Sequence, residues 1–544
     1  MDLRRAIQQD FRASGLFLSS DALRALLAFA ESSGGGQGAV DSVVEAIEAR
    51  RAELPSSTVS LELMSEVLEK MASTGSGLEE LEPLQVISAF DVPRFQYNVH
   101  RKMYFPTRGD LSLHGEPGDK MQVHIGRMHL LQQRLRRNSL FSTPAFAGLV
   151  AGSKGADCEI TELKNLHSSG GQSRFVMGCI SQLEDGRYFL EDLSGALPID
   201  LTGAVSTSGY FTENIIVIAD GKLRSDGVFK VNALGFPPPE AREESITAIQ
   251  GLNMFGGNAL KGAGLEAALE AEQMREARLV MLSDIWLDKD ETLHKLAVVF
   301  DGYNGLEQVP DVIVMMGNFN SQAGNGTSAT GAVPLPSIRQ LQEGFTALGQ
   351  LIAKYERLHE QTRWVFVPGP GDPCPGVMLP RPPLPDFLVA GLKEVLPAAE
   401  FTSNPCRIRW YTQEIAVFRY DLQQRMRRQC LLDPLGGIGD AEQQFEHLMA
   451  TVLQQSHLCP LPLNQQPVYW QYDHAMHLFP LPHLLVLADG GGQAHTSFSG
   501  CKCVTPGSFC RDSHFISYCP DEREIELSAL PEASEGGNGM EWDA

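Results

Sequence analysis

Three apolar segments decide the fold: RLVMLSDIWLDKD at 278–290, PDVIVMMGNFN at 310–320 and RWVFVPGPGDP at 363–373. Each is a short apolar run that ends in Gly, Asp or Asn, which is typical of a buried strand followed by a loop at the carboxyl edge of a sheet. Functional side chains in open α/β sheets lie at that edge. The pattern therefore predicts a layered α/β domain whose candidate site is formed by these three loops.

The loops resemble those of the calcineurin-like metallophosphoesterases, which bind two metal ions through Asp-x-His, Gly-Asp and Gly-Asn-His-Asp/Glu motifs, a lone His and Gly-His-x-His. Asp284 is retained in the first motif, but Trp286 replaces its His. In the second motif, Asn318 follows Gly317 where the family has Asp. A carbon-rich indole cannot bind a metal ion, and a neutral amide lacks the anionic oxygen that bridges two dications.

The remaining ligands are also altered. Pro370 and Gly371 replace the two central ligands of the third motif, whose last residue is Asp372, and no His-x-His pair occurs in the chain. His457 is the candidate for the lone His, although a structural role is favoured because its co-ligands are missing. Without liganded ions there is no metal-bound water with a pKa near about 7 to act as nucleophile. The resemblance thus implies an inactive phosphoesterase with a vestigial pocket.

Composition bounds the remaining possibilities. At 544 residues the chain exceeds one hydrophobic core, and two to four domains are expected. The net charge of -23 argues against a protein whose main task is to bind the phosphate backbone. No signal peptide and no long apolar run is visible, so we expect a soluble intracellular protein without membrane contact. Ten scattered Cys suit reduced thiols, and buried thiols are favoured over a zinc site for the group at 501–519.

The N-terminal half divides into three parts. Residues 1–75 carry apolar residues at helical spacing and predict a four-helix module, with Ser19 or Ser20 as a cap of the second helix. Residues 76–150 form a linker and connector with strand-like alternation and one helix, predicted at 121–137.

Residues 151–245 show five short strands separated by tight turns, which predicts a small barrel of the OB type. Such barrels often bind single strands through stacking aromatics beside basic groups. Tyr188, Phe211 and Phe229 are available, but acidic residues surround them, and core packing is the favoured role of these rings.

From 270 to 544 strands alternate with helices, as expected of the α/β domain. A long amphipathic helix is predicted at 335–361, a hairpin at 401–420 and an apolar strand at 476–489.

Six motifs together resemble the B-subunit family of the replicative DNA polymerases, and its DNA polymerase epsilon members in particular. The similarity extends over nearly the whole chain. The motifs are SDIWLD at 283–288, FDGY at 300–303, MGNF at 316–319, TSNPCRIRWYTQEI at 402–415, HLCPLP at 457–462 and PGSF at 506–509.

The resemblance implies a multidomain α+β protein: an N-terminal helical module like the C-terminal domain of AAA+ ATPases, an OB-fold barrel, and a catalytically inactive calcineurin-like phosphoesterase sandwich. It implies a noncatalytic nuclear scaffold in DNA replication, without a cofactor. The implied partners are the zinc-bearing C-terminal region of the catalytic subunit of DNA polymerase epsilon, the small histone-fold subunits of the same complex and the replicative helicase through GINS, with DNA contacted mainly through the complex. Two alternatives stay open: an active metal-dependent phosphodiesterase, and a single-strand DNA-binding protein acting through the barrel.

Overall fold

In a computed structural model, the described residues are 17–32, 82–107, 109–141, 158–169, 171–258, 260, 262–321, 335–374 and 376–531, with isolated positions between 7 and 67. The chain forms two compact units. One comprises Met1–Leu84 and Asn258–Arg275, and the other comprises Gln85–Gly257 and Glu276–Ala544.

The N-terminal unit is helical in part. Ser19 begins a helix at Ser20–Ser32 by accepting a hydrogen bond from the backbone N–H of Ala22 at 3.2 Å, which confirms the predicted cap. The prediction that residues 1–75 are helical throughout is wrong at two points, because β1 (Phe17–Leu18) pairs in parallel with β2 (Thr58–Val59). Val59 is buried there and suits a strand because it is β-branched.

The described core of this unit is otherwise formed as the apolar spacing predicts. Its helical members are fully or almost fully buried: Ile7, Phe11, Leu23, Leu26, Val43, Ile47, Met64 and Val67. A helix at Gly262–Met274 also belongs to this unit. Four other apolar positions of the helical spacing lie outside the described residues: Leu3, Val40, Val44 and Met71.

The segment predicted as a connector carries regular structure in its described part. It contains β3 (Leu84–Ser88), a hairpin of β4 (Phe95–Asn98) and β5 (Met103–Pro106), and a helix at Pro117–Leu135. This helix begins four residues before the predicted start of 121, because Glu116 and Asp119 form a reciprocal capping box.

The barrel consists of five longer strands, as predicted, and one very short strand. Its strand order is β10-β6-β7-β8-β11-β9, and antiparallel pairing of β10 with β11 closes it. Phe211 and Phe229 are fully buried, which confirms core packing for these two rings, whereas Tyr188 is only partly buried. The strands are β6 (Arg174–Glu184), β7 (Arg187–Asp192), β8 (Gly195–Asp200), β9 (Val205–Ser206), β10 (Ile216–Leu223) and β11 (Phe229–Gly235).

The first sheet of the C-terminal sandwich has the order β15-β14-β13-β12-β21-β22. Its central strands β12, β13 and β14 are parallel and carry the three segments that decide the fold. The strands are β12 (Leu279–Ser283), β13 (Val312–Met316), β14 (Arg363–Val367), β15 (Glu400–Phe401), β21 (His514–Cys519) and β22 (Glu524–Ala529).

The second sheet has the order β19-β20-β18-β17-β16-β3, so it includes the strand that precedes the barrel in the chain. The other strands are β16 (Cys406–Trp410), β17 (Gln413–Arg419), β18 (Leu484–Ala488), β19 (Ala494–Phe498) and β20 (Cys501–Thr505). The antiparallel pair β16 and β17 confirms the predicted hairpin. Helices lie at Arg242–Ile249, Asp290–Asn304, Leu335–Ile352, Glu356–Gln361, Asp386–Val395, Gln423–Arg428, Ala441–Gln455 and Phe509–Asp512, with 3₁₀ helices at Leu163–Ser169 and Trp470–Met476.

Two elements differ from the sequence predictions. The helix predicted at 335–361 is two helices, because the chain turns at Tyr355, whose hydroxyl donates to the carbonyl of Ala297 at 3.0 Å. The strand predicted at 476–489 is shortened to Leu484–Ala488, because prolines at its entry cannot donate ladder hydrogen bonds.

The barrel and the sandwich share one hydrophobic core. Buried side chains of β6, β10 and β11 belong to the same cluster as those of β17, β18 and helix Ala441–Gln455. Cys501 and Cys503 are buried on one face of β20, as expected for structural thiols. None of the described helices combines the length and apolarity that crossing a membrane requires.

Candidate functional site

The three loops of the first sheet meet as the sequence predicts. Asp284 follows β12, and its Oδ1 accepts a hydrogen bond from the backbone N–H of Asn318, which follows β13, at 3.2 Å. Asn318 Oδ1 in turn accepts from the N–H of Gly371, in the loop after β14, at 2.7 Å. Because β12, β13 and β14 are parallel neighbours, their carboxyl ends place these groups side by side.

Asp372 holds the loops together from behind. Its two oxygens accept from the N–H groups of Phe319 and Gly369, each at 2.7 Å. Burial raises the pKa of Asp372 to about 6, against the opposing effect of those two N–H groups. Gly317 is required beside it, because a Cβ there would lie 1.9 Å from Asp372 Oδ2. Asp372 therefore fixes the loops after β13 and β14 relative to each other. It does not line the polar cavity of this site.

Arg419, at the end of β17 in the second sheet, projects into this site. Its Nη2 donates to Asp284 Oδ1 at 2.8 Å and its Nε donates to the carbonyl of Gly317 at 2.8 Å. Its Nη1 donates to Asp421 Oδ1 at 2.7 Å and to the carbonyl of Ala488 at 3.2 Å. The side chain is 2% exposed and that of Asp284 is 3% exposed. A fixed guanidinium thus neutralises the carboxylate that is retained from the first phosphoesterase motif.

The charge state of Arg419 follows from its contacts. Burial alone would lower the pKa of Arg419, but the adjacent carboxylates of Asp284 and Asp421 raise it above its ordinary value. The guanidinium is therefore permanently charged. Asp284 Oδ1 already accepts hydrogen bonds from Arg419 and from the backbone N–H of Asn318, and the buried cation 2.8 Å away repels a dication.

The second sheet supplies two further acids, Asp421 and Asp489. Asp489 follows β18, and its Oδ2 accepts from the N–H groups of Leu422 and Gln423 at 2.6 and 2.8 Å. Burial, and then repulsion by Asp421, raises the pKa of Asp489 to about 6. The Asp489 carboxylate therefore caps the backbone N–H groups of the segment after β17. With a pKa of about 6, it is partly protonated near pH 6.

These groups surround a polar cavity of about 630 Å³. Three of the predicted site residues, Asp284, Trp286 and Asn318, line it, and Pro370 and Gly371 do not. The Trp286 ring is covered by the guanidinium of Arg511, with 5.3 Å between the Cζ atom and the ring centroid. An indole, an amide and a neutralised carboxylate do not fit a binuclear metal centre.

His457, the candidate for the lone His, does not line this cavity, and its contacts agree with the structural role that the sequence favoured. The helix Ala441–Gln455 ends at Ser456, whose φ of 48° turns the chain. His457 Nε2 then bonds Asp473 Oδ1 at 3.2 Å, and its Nδ1 accepts from the N–H of Cys459 at 3.0 Å. Burial, reinforced by Arg127, lowers the pKa of His457 to about 3, so the ring is neutral and structural.

His457, Asp473 and His477 are the only described group of three side chains that approaches metal-ligand geometry. Both oxygens of Asp473 are used within the protein, because Arg127 Nη2 donates to Oδ1 at 2.5 Å and His477 Nε2 bonds Oδ2 at 3.1 Å. Burial opposes ionisation of Asp473, but Arg127 and His457 hold its pKa well below the usual value. The neighbouring His474 bonds the backbone carbonyls of Gln471 and Val92. The arrangement is a hydrogen-bonded ion pair rather than a metal site.

Sequence reasoning missed Arg419, Asp421 and Asp489. Their signal was present, since the runs QEIAVFRYD at 413–421 and LLVLADGG at 484–491 also end in polar loops after apolar strands. The sequence of these two runs does not indicate that the second sheet faces the same cavity as the first.

Comparison with known proteins agrees with the motifs. Residues 279–497 match the family model of the DNA polymerase alpha/epsilon B subunit, and residues 117–238 match the OB-fold domain described as DNA polymerase epsilon subunit 2-like. The B subunit of DNA polymerase epsilon from Arabidopsis thaliana is 41% identical over 97% of this chain and 99% of its own length. The human DNA polymerase epsilon subunit 2 is 37% identical over 82% of this chain and 83% of its own length.

A more distant relative and one solved structure complete the comparison. The B subunit of DNA polymerase epsilon from Schizosaccharomyces pombe is 30% identical over 79% of this chain and 73% of its own length. An archaeal phosphodiesterase structure covers 46% of this chain and 99% of its own length at 9% identity, and its TM-score of 0.24 is too low to support an argument. From the sequence relatives, the chain belongs to the B-subunit family of DNA polymerases alpha and epsilon, as a noncatalytic subunit of DNA polymerase epsilon.

Proposed function

We propose that this subunit is a rigid scaffold that holds the zinc-bearing C-terminal region of the catalytic subunit across its barrel and its sandwich. The observation that carries the proposal is the single hydrophobic core that both domains share. A partner that contacts two domains binds best when their relative position is already set, because less conformational entropy is lost on binding.

Buried polar contacts support the same rigidity. Arg127, on the helix that precedes the barrel, forms a buried ion pair with Asp473 of the sandwich, with 2.5 Å between Nη2 and Oδ1. Arg134, on the same helix, is also buried. It donates to Ser456, to the carbonyls of Pro237 and Pro238 and to that of Gln454.

The phosphoesterase-like pocket is inactive in this proposal. Arg419 supplies the positive charge that metal ions supply in active phosphoesterases, and it cannot lower the pKa of a bound water as an open metal site does. The pocket keeps its shape, since Arg419 bonds groups from both sheets. The sandwich is thereby retained as a binding surface.

We propose further partners and domain boundaries from the family resemblance. We propose that the N-terminal module, residues 1–75, resembles the C-terminal domain of AAA+ ATPases and contacts the replicative helicase through GINS. We also propose that the histone-fold subunits belong to the same nuclear complex. The barrel domain was expected at 151–245, and we propose that it also includes the helix at Pro117–Leu135; the match of residues 117–238 to the OB-fold model supports this. The phosphoesterase-like domain was expected at 270–544, and we propose that it begins at Glu276, because residues up to Arg275 belong to the N-terminal unit.

Coexpression with the metallated C-terminal region of the catalytic subunit tests the scaffold. A stoichiometric complex should survive gel filtration with the wild-type chain. Arg127→Met, which breaks the ion pair between the helix at the barrel and the sandwich, should weaken the complex, whereas Arg187→Met, on an exposed pair with Glu184, should not. Absence of a complex with the wild-type chain would contradict the proposal.

A further inference from the structure

The hairpin of β4 and β5 has a basic tip in a strongly acidic chain. Residues 95–106 contain His100, Arg101 and Lys102 but no Asp or Glu, with Asp91 and Asp110 outside the hairpin, whereas the whole chain has a net charge of -23. The hairpin forms a two-stranded sheet of its own, outside the barrel and the two sandwich sheets. A local concentration of one charge sign opposed to that of the whole molecule indicates a specific binding surface.

The tip of the hairpin has a defined shape. Asn98 Oδ1 accepts hydrogen bonds from the N–H groups of His100 and Arg101 at 3.1 and 2.9 Å. Lys102 then turns the chain with a φ of 55°. All three residues at the tip are exposed: His100, Arg101 and Lys102. The hydrogen bonds of Asn98 fix the backbone of this turn and so hold the three basic side chains close together.

The base of the hairpin is anchored by its aromatic rings. Tyr97 packs on Tyr104 with 5.1 Å between ring centroids, and Tyr104 packs on Phe479 with 5.8 Å. Phe95 and Tyr104 pack against a core cluster that includes Met128 and Leu131 of the helix Pro117–Leu135. The basic tip therefore projects from a fixed base.

Two basic groups at the tip of the hairpin have no ion-pair partner within the described part of the protein. Among those residues, no carboxylate lies within ion-pair distance of Arg101 or Lys102, whereas Arg127 and Arg419 are paired with buried carboxylates and Arg94, at the base of the hairpin, interacts with the Asp119 carboxylate. Arg101 instead lies over the ring of Phe105, with 5.6 Å between Cζ and the ring centroid. Unpaired charges on an ordered tip are available to an anionic partner.

We propose that the tip of this hairpin, His100 to Lys102 with the Phe105 ring below Arg101, contacts the phosphate backbone of DNA. The chain belongs to a replicative polymerase, which works beside DNA, and Arg and Lys are the groups that bind phosphates. A two-stranded ribbon is narrow enough to enter a groove of duplex DNA. The contact does not use the barrel, whose strands lack such a basic cluster. An acidic surface of a protein partner is the competing occupant.

Salt-dependent DNA binding by the full chain tests the proposal. Binding to a labelled duplex and to a single strand is measured between about 50 and 200 mM salt. Each phosphate contact adds about 0.9 to the slope of log K against log salt, so Arg101→Gln/Lys102→Gln should lower the slope for duplex by about 2 and weaken binding at low salt at least about tenfold. The charge-matched control is Arg428→Gln/Lys354→Gln, because both residues are exposed on the sandwich.

Each outcome decides the proposal. A loss of affinity and slope in the hairpin variant, with the control unchanged, supports it. Failure of the wild-type chain to bind DNA at low salt, or equal losses in both variants, would overturn it. It would also be overturned if the hairpin variant kept full DNA binding but lost the complex with the catalytic subunit, because the occupant would then be a protein surface.

Discussion

Replacing Arg419 by Met should be among the most destabilising single changes in the sandwich. The guanidinium bonds two carboxylates and two backbone carbonyls, and its side chain is 2% exposed. Its removal leaves the carboxylate of Asp284 buried without a counter-ion. Breaking a buried ion pair in this way costs about 3–5 kcal/mol.

The free energy of unfolding in urea, followed by tryptophan fluorescence, measures the loss, because Trp286, Trp364 and Trp410 lie in the sandwich. The matched control is Arg187→Met, whose pair with Glu184 is exposed and should contribute less than about 1 kcal/mol. The double variant Arg419→Met/Asp284→Asn should recover about 1–3 kcal/mol, because the buried charge is gone. If Arg419→Met is as stable as Arg187→Met, the assignment of a buried ion pair is refuted.

Three further changes test other parts of the structure. Gly317→Ala should unfold the sandwich or cost more than about 3 kcal/mol, because its Cβ would lie 1.9 Å from the Asp372 carboxylate, whereas Gly302→Ala has open space in a helix and should stabilise by about 0.5–1 kcal/mol in the same urea assay. Asp489 has its folded pKa raised to about 6, so the folded state keeps this proton when the unfolded state has lost it, and stability falls as pH rises from about 4 to about 6. Asp489→Asn should remove about 2–3 kcal/mol of that fall, and an unchanged pH profile would show that the raised pKa is wrong. Arg127→Met should cost about 3–5 kcal/mol in the same urea assay, because it leaves the buried Asp473 carboxylate without its Arg counter-ion, whereas a loss below about 1 kcal/mol would contradict the buried ion pair.

The strands that decide the fold were predictable because each is a continuous apolar run that leads into a loop with Gly, Asp or Asn. The runs at 279–283, 312–316 and 363–367 form neighbouring parallel strands, and their loops bring Asp284 and Asn318 together. The local pattern of each segment is enough for this, since parallel neighbours share one carboxyl edge.

The residues that the second sheet contributes to the site, Arg419, Asp421 and Asp489, could not be predicted in the same way. Arg419 lies 135 positions from Asp284 in the chain, and nothing local to either residue records that the two sheets face one cavity. The contacts of His457 could not be predicted for a related reason. Its apolar surroundings in the sequence indicate that the residue is buried, but the left-handed turn at Ser456 decides which neighbours it meets.

The most direct test of the central claim, that Arg419 has replaced the metal ions of the phosphoesterase pocket, is a calorimetric titration of the purified chain with Mn²⁺. We predict no stoichiometric binding that depends on Asp284, because its carboxylate is already bonded to Arg419. Binding of two Mn²⁺ per chain that Asp284→Ala abolishes would contradict the claim.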